Sequence, residues 1–193
     1  MNPAEVGVSD AVLVQRVQLL DDREAFATLV RRHQGPLRSY LRRLTGTDTA
    51  LAEDLAQESF LKVYRALSGF RGDSSFRTWL IRVAYRLFLD HREAASREGV
   101  AADEPVEHLV DVDALGLDMH AAMSLDLDRA LQALSHDQRM AVLHCHVAGL
   151  THVDAAHLLG WPVATLQSHL RRALAQLRPA LQDWAQLQTR RTP

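Results

Sequence analysis

The 193-residue chain has little of what several protein classes require. It contains a single cysteine, Cys145, so no disulfide can form within it, which fits the reducing conditions of a cytoplasmic protein. Arginine interrupts every long apolar stretch and the first residues lack a signal-peptide pattern, so we expect no membrane-spanning helix and no direct membrane insertion. No paired carboxylates and no Ser/His/Asp arrangement stand out, so we expect neither an enzyme nor a cofactor.

Strand-like alternation with a period of two is also missing from the sequence, and apolar residues recur instead at helical spacing. The net charge of −2 conceals an uneven distribution. Residues 1–95 carry 14 basic and 12 acidic side chains, residues 96–125 carry 1 and 7, and residues 126–193 carry 7 and 5. We therefore predict an all-α protein with two small helical domains, 1–95 and 125–193, joined by an acidic, flexible linker over 96–124.

Two interpretations of the acidic linker are open. The acidity can simply keep an exposed tether soluble, which we favour, or it can mimic a nucleic-acid strand inside a basic channel of a partner. The charge pattern alone does not separate them.

Three helices are predicted before residue 70. They start at Ser9 or Asp10, near Asp22 and near Thr49 after a cap at Thr47 or Asp48, and Gly35-Pro36 should kink or interrupt the second. Their predicted inward side chains are Val12, Leu13, Val17, Leu20, Phe26, Leu29, Val30, Leu37, Tyr40, Leu41, Leu44, Leu51, Leu55, Phe60, Val63 and Leu67.

The segment from Phe70 to Arg92 combines a polar turn with an amphipathic helix. Ser74 or Ser75 can cap this helix, whose apolar stripe comprises Phe76, Leu80, Val83 and Leu87 with Trp79 beside them. Arg77, Arg82, Arg86 and Arg92 lie off the stripe together with Tyr85. Cations beside exposed rings suit the binding of unpaired nucleic-acid strands, although a solvated face on an ordinary bundle helix is the alternative.

The second domain contains the pattern of a helix-turn-helix. A short helix over 126–134 precedes a helix capped by Ser135 and stopped by Gly149 after Ala148. Thr151 and Asp154 have capping-box spacing for the next helix, which Gly160-Trp161-Pro162 separates from a long final helix through about Leu187.

The final helix would present one face to the edges of bases. Val163, Leu166, Leu170, Leu174 and Leu177 are predicted to pack inward. The predicted outward residues are Thr165, Gln167, Ser168, His169, Arg171 and Arg172. Plain packing of a helix hairpin, without DNA contact, is the alternative.

These motifs, taken in order, resemble those of extracytoplasmic-function sigma factors, the small two-domain class of bacterial RNA polymerase specificity subunits. The resemblance runs from about Asp22 to Leu181. The segments that carry it are DLAQESF at 54–60, FRGDSSFRTWL at 70–80, residues 133–139, Gly149-Leu150-Thr151 and GWPV at 160–163.

The resemblance implies roles for particular residues. Asp54, Gln57, Glu58, Phe60 and Lys62 would bind the polymerase core at the clamp of the β′ subunit. The β flap of the polymerase would be a further partner of the protein. The −10 element of promoter DNA would meet Phe70, Arg71, Gly72, Asp73, Ser74, Ser75, Arg77, Arg82, Tyr85 and Arg86, and the loop among them would receive a flipped base. The −35 element would meet the six outward residues of the final helix, and an anti-sigma factor would regulate the protein.

Some residues depart from the family pattern. The family commonly has Asn where this chain has Arg86, and basic residues where Gln167, His169 and often Leu174 stand. Because Arg only donates hydrogen bonds whereas Asn also accepts them, two outcomes are open: the preferred flipped base differs, or Arg86 holds a phosphate instead. Fewer cations on the final helix predict weaker phosphate contacts and an unusual −35 preference.

Histidines are frequent in the second domain, which holds six of the ten. His144, Cys145 and His146 are good zinc-ligand types, but adjacent helical positions point about 100° apart, so we predict no metal site.

Two rival functions of the protein are open: a helix-turn-helix regulator that binds DNA without polymerase core, and a helical adaptor without DNA contact.

Overall fold

The structure is a computed structural model that describes residues 7–46, 48–97 and 130–189, with side chains described up to residue 178. Within these ranges every regular element is helical, which confirms the predicted all-α class. The chain divides into two compact units, 1–105 and 106–193. Most of the predicted linker, 98–124, and the start of the predicted helix over 126–134 lie outside the described residues.

The first unit contains four α-helices: α1 (Asp10–Leu20), α2 (Arg23–Thr45), α3 (Thr49–Ala66) and α4 (Phe76–Arg97), with a short 3₁₀ turn, Leu67–Gly69, after α3. Helix α4 continues two residues past the predicted domain boundary at residue 95. Each helix begins at a side chain that accepts a hydrogen bond from a free backbone N–H. These caps are Ser9, Asp22, Asp48 and Ser75.

The sequence predicted that Gly35-Pro36 would kink or interrupt α2, and the helix continues through Pro36 without interruption. Proline removes one backbone hydrogen bond and crowds the carbonyl of the residue four positions earlier. Gly35 and Pro36 both lie at the surface of the first unit.

The core of the first unit is formed where α2 packs between its neighbours. Tyr40, Leu29 and Leu41 are fully buried, and Phe76, Leu80 and Phe88 bring α4 onto them. Two predictions for α1 were wrong, since Val12 is 45 % and Leu20 is 73 % exposed while Val14 is buried in their place. Leu20 is the last residue before the chain turns away at Asp21, which adopts a left-handed conformation (φ 48°). Phe26, Val30, Leu51, Phe60 and Val83 are only half-buried.

The second unit contains α5 (His136–Val142), a π-helical turn (Leu143–Val147), α6 (His152–Leu159) and α7 (Val163–Thr189). Ser135 and Gln138 form a reciprocal capping box at the start of α5, with hydrogen bonds of 3.4 and 3.0 Å. The predicted single helix through Ala148 instead ends in the wider π-helical turn, where the Ala148 N–H donates to the Leu143 carbonyl over 2.8 Å. Gly149 then stops it with φ 72°, as predicted.

Thr151 begins α6, but its pairing with Asp154 differs from a full capping box. The Thr151 hydroxyl accepts from the Asp154 N–H at 3.1 Å and donates to the Asp154 carboxylate at 2.8 Å. Asp is one methylene shorter than Glu, so its carboxylate meets the hydroxyl rather than the backbone of the cap residue.

The core of the second unit is built around α7. Leu166, Leu170, Ala173 and Leu177 are buried on its inner side. Val163 and Leu174 were predicted to pack inward but are 37 % and 40 % exposed. None of the helices in the described part of the chain is long and apolar enough to span a membrane.

Candidate nucleic-acid interface

One face of α3 is polar and exposed, and we call it the α3 polar face: Asp54, Gln57, Glu58 and Lys62. Their spacing of three or four residues brings them together on one side of the helix. Lys62 Nζ lies 3.4 Å from Glu58 Oε1, a solvated pair that contributes little to stability. The face is therefore open for contact with another molecule.

Two apolar residues of α3 refine this assignment. Leu61 is 55 % exposed, and its spacing from Asp54, Gln57 and Glu58 places it within the polar face. Our sequence prediction missed it, although the helical spacing was visible. Phe60 is half-buried and lies off the face, because six residues at about 100° each carry it well around the helix from Asp54.

The 70–75 loop connects the 3₁₀ turn to α4. Arg71, Gly72 and Asp73 are exposed at its tip, where Gly72 adopts a positive φ of 78° that favours glycine. Arg71 Nε and Asp73 Oδ2 lie 3.3 Å apart, and both side chains are highly exposed. The loop therefore presents a positive and a negative group beside a stretch of accessible backbone.

Both ends of the loop are held in place. The Phe70 ring stacks on Trp79 of α4 with centroids 4.7 Å apart and an interplanar angle of 22°. At the other end, Ser75 Oγ accepts from the Thr78 N–H at 3.0 Å and caps α4, which selects Ser75 over Ser74 as the cap. Trp79 stays half-buried, so the sequence interpretation that placed it beside the core stripe missed a partly accessible ring next to the loop.

The arginines of α4 do not form one continuous face. Arg82 and Arg86 are four residues apart and lie on one side, where Arg86 Nε contacts Asp90 Oδ1 at 3.0 Å. Arg77 is five positions before Arg82 and points about 140° away from it around the helix axis. The predicted −10 set is therefore divided between the loop with one side of α4 and the opposite side of that helix.

Tyr85 was predicted to be an exposed ring among these cations, and this was wrong. Its side chain is only 8 % exposed and stacks near Phe88, with centroids 6.3 Å apart. Burial raises the pKa of the Tyr85 phenol above its ordinary value, and nearby Arg92 partly offsets this. The buried stripe of α4 is wider than its sequence predicted, because Ile81, Ala84 and Phe88 are buried as well. The Tyr85 ring lies among these residues and is therefore part of the core.

The second unit contains the helix-turn-helix geometry that its sequence predicted. Gly160 adopts a left-handed conformation (φ 68°) at the end of α6, and the Trp161 N–H donates to the Ala156 carbonyl over 2.9 Å. Pro162 precedes the first turn of α7, where its carbonyl accepts from the Leu166 N–H at 3.1 Å. This tight turn leaves the N-terminal part of α7 accessible.

The α7 outer face comprises the six predicted residues Thr165, Gln167, Ser168, His169, Arg171 and Arg172. Thr165, Gln167, Arg171 and Arg172 are exposed, whereas Ser168 and His169 are half-buried. The predicted division of the helix holds for Thr165, Gln167, Ser168, Arg171 and Arg172, whereas His169 lies at the boundary between the outer face and the core.

His169 lies at the edge of this outer face, close to the core. Its ring lies 5.3 Å from that of Trp161, and Nε2 lies 3.8 Å from Asp137 Oδ2 of α5. The side chain therefore connects α7 to the turn before it and to the start of α5. Its contact with Trp161 was not expected from the sequence.

The histidines do not assemble a metal site in the part of the chain that the structure describes. His144 is fully buried, and its Nδ1 is 2.8 Å from the Met140 carbonyl, to which the ring N–H donates. Burial lowers the pKa of His144 to about 4, and the bond to Met140 partly offsets this. Cys145 is half-buried, and burial raises the pKa of its thiol, as suits a packing residue.

Two family models match the chain in order. "Sigma-70 region 2" matches residues 29–98, which include the α3 polar face, the 70–75 loop and α4. "Sigma-70, region 4" matches residues 124–177, which include α6 and the outer face of α7.

Named relatives are similar to the chain over most of their length. The RNA polymerase sigma-H factor of Pseudomonas aeruginosa is 34 % identical over 183 residues, which cover 90 % of this chain and 94 % of the relative. The ECF RNA polymerase sigma-E factor of Haemophilus influenzae is 32 % identical over 188 residues, covering 91 % and 96 %. Among solved structures, the sigma factor RpoE of Bartonella quintana, in complex with the anti-sigma factor NepR, shares the fold with a TM-score of 0.61 and 24 % identity over 81 % of this chain and 96 % of that one.

Proposed function

Because this chain belongs to the extracytoplasmic-function class of sigma-70 factors, with region 2 and region 4 both present, we propose that its three exposed surfaces direct polymerase core to promoters. The protein is an alternative sigma factor that acts in transcription initiation. The α3 polar face, the 70–75 loop with one side of α4, and the α7 outer face take separate parts in this function.

The α3 polar face binds polymerase core at the β′ clamp. Asp54, Gln57, Glu58 and Lys62 supply charged and amide groups at helical spacing. Leu61, exposed in their midst, supplies the apolar contact that protein interfaces favour at their centre. Phe60 supports the helix from the side rather than joining the contact.

The 70–75 loop and the neighbouring side of α4 bind the −10 element. Arg71, Arg82 and Arg86 neutralise phosphates, and the loop receives a base extruded from the duplex. Extrusion costs a few kcal/mol, which contacts at the loop must offset. The half-buried Trp79 offers a ring edge there, and Tyr85 is too deeply buried to stack on a base.

The α7 outer face binds the duplex of the −35 element. Gln167 can pair with adenine, and Arg171 and Arg172 can contact guanine or phosphate. The His169 side chain contacts Trp161 and Asp137 within the second unit. Its role is therefore to orient α7 as much as to contact DNA. The β flap of the polymerase holds this unit over the promoter.

The observation that carries this proposal is that region 2 and region 4 follow one another in the chain. The three proposed surfaces on them are exposed to solvent. Two measurements test the proposal: in vitro transcription from a genomic promoter library by polymerase core, with and without the chain, and binding of promoter duplexes by the chain, with and without core. We expect promoter-specific transcripts only when both proteins are present. Duplex binding by the chain alone with no effect of core would support a regulator that acts without polymerase, and neither activity would support an adaptor.

Further features follow from the same role. The chemistry belongs to the polymerase, so the protein itself is not an enzyme, and it works in the cytoplasm, where chromosomal DNA lies. An anti-sigma factor regulates it by covering the α3 polar face or the α7 outer face. This last point draws on the similar fold of RpoE, which was solved with the anti-sigma factor NepR.

A further inference from the structure

One side chain of α1 reaches the beginning of the 70–75 loop. The Gln18 side-chain amide donates to the Leu67 carbonyl at 2.9 Å and to the Phe70 carbonyl at 2.8 Å. One nitrogen with two N–H groups thus bridges both ends of the 3₁₀ turn. Glutamine supplies this double donor, which a glutamate or an aliphatic side chain of similar size cannot.

The two carbonyls determine where the loop leaves the body of the first unit. Leu67 is 1 % exposed, and its carbonyl also accepts from the Phe70 N–H at 3.0 Å. The Phe70 ring is stacked on Trp79, so the backbone at Phe70 is held by Gln18 from α1 and by Trp79 from α4. Ser75 fixes the other end of the loop on α4. The exposed residues between these points depend on that frame for their position.

We propose that Gln18 is a positioning residue for base recognition by the 70–75 loop. Gln18 itself does not contact DNA. It holds the start of the loop in the position in which one extruded base binds better than the others. This inference depends on the proposed function of the loop. Residue 18 precedes the segment 29–98 that matches the region 2 family model, so that match says nothing about it.

The chain contains a matched control. Gln15 lies three residues earlier in α1, is exposed, and can be changed in the same way as Gln18. Full-length wild type, Gln18→Leu and Gln15→Leu are each combined with polymerase core. Transcription is then measured on four promoters that differ only at the −10 position where wild type discriminates most strongly, and the readout is the ratio between the best and the worst base.

We expect Gln18→Leu to lower this ratio about tenfold, the factor that corresponds to one or two lost neutral hydrogen bonds. Gln15→Leu should keep the wild-type ratio. A variant that is merely less stable has fewer active molecules, which lowers transcription from all four promoters by one factor and leaves the ratio unchanged. An unchanged ratio in Gln18→Leu would therefore overturn the proposal.

If Gln18→Leu does not fold, Gln18→Met replaces it, because Met has a side chain of similar length without an N–H donor. A reduced ratio in Gln18→Met supports the proposal, and a wild-type ratio overturns it. Failure of the proposed function looks different: wild type itself would then show no core-dependent transcription or no preference at any −10 position.

Discussion

The buried histidine of the second unit makes the stability of that unit depend on pH. His144 is fully buried, and its pKa is lowered from the ordinary value of 6.5 to about 4 because burial disfavours the charged ring. The unfolded chain therefore takes up a proton more readily than the folded one. The stabilising effect of a neutral His144 is complete above pH 6.5 and is lost as the pH falls toward about 4.

The size of this effect follows from the two pKa values. Between 6.5 and about 4, each pH unit changes the free energy of unfolding by about 1.4 kcal/mol. The total is about 3 kcal/mol at pH 4, and about 2 kcal/mol is already lost at pH 5. Losses of this size are large for a small domain, whose whole stability is only about 5–15 kcal/mol.

Urea unfolding at pH 7 and pH 5 measures this loss. In a background of Trp79→Phe and Trp184→Phe, Trp161 is the one tryptophan left of three and reports on the second unit alone. We expect His144→Gln, which keeps an amide donor but does not titrate, to lose about 2 kcal/mol less than its parent between these pH values. His136→Gln, which makes the same change at an exposed position of the same unit, is the matched control. Equal pH dependence in His144→Gln and the parent would refute the reasoning.

Three further predictions concern single side chains. Ser135→Ala removes the capping box of α5 and should lower the free energy of unfolding of the second unit by about 1 kcal/mol, measured by urea unfolding, while Ser135→Asp should restore most of it. A Cβ at position 72 would meet open space, but Gly72 adopts φ 78°. We therefore expect Gly72→Ala to lower the free energy of unfolding of the first unit by about 1 kcal/mol through backbone strain alone, and an unchanged free energy would show that the loop relaxes freely. Arg172→Ala should weaken binding of holoenzyme to promoters regardless of sequence and reduce the slope of log affinity against log salt by about 0.9; a change confined to one base pair would instead mean that Arg172 reads a base.

The features that the sequence predicted well are local ones. Ser9, Asp48, Ser135 and Thr151 cap helices as expected, because a cap joins a side chain to an N–H only two or three residues away. Gly149 and Gly160 end helices for a similarly local reason, the left-handed backbone that glycine adopts at little cost. The helix-turn-helix was therefore visible from residue order alone.

The errors arose where a neighbouring helix decides the outcome. Tyr85 has the polar tip of a surface residue, but its ring fills space in the core of the first unit. Leu174 and Val163 are apolar and correctly spaced, yet no buried element covers them in the described residues. Helical spacing defines a stripe, and only the packed partner defines how wide the buried part of that stripe is.

The same difference between local features and tertiary contacts applies to the candidate site. Exposure of the α3 polar face, the 70–75 loop and most of the α7 outer face was predictable from polarity and spacing. The stacking of Phe70 on Trp79, the contact between His169 and Trp161 and the bridge made by Gln18 join residues that are distant in sequence or hidden in an apolar pattern. Tertiary contacts of this kind leave no periodic signal. The roles of these surfaces in binding polymerase and promoter stay predictions.

Each unit has its own buried centre and its own capped helices, and this has a practical consequence. Because the proposed −10 and −35 surfaces lie in separate units, we expect that one unit can be replaced by that of a relative without redesigning the other. Chimeric factors built by joining this region 2 to a foreign region 4 offer a route to orthogonal gene circuits, in which promoter halves are combined at will.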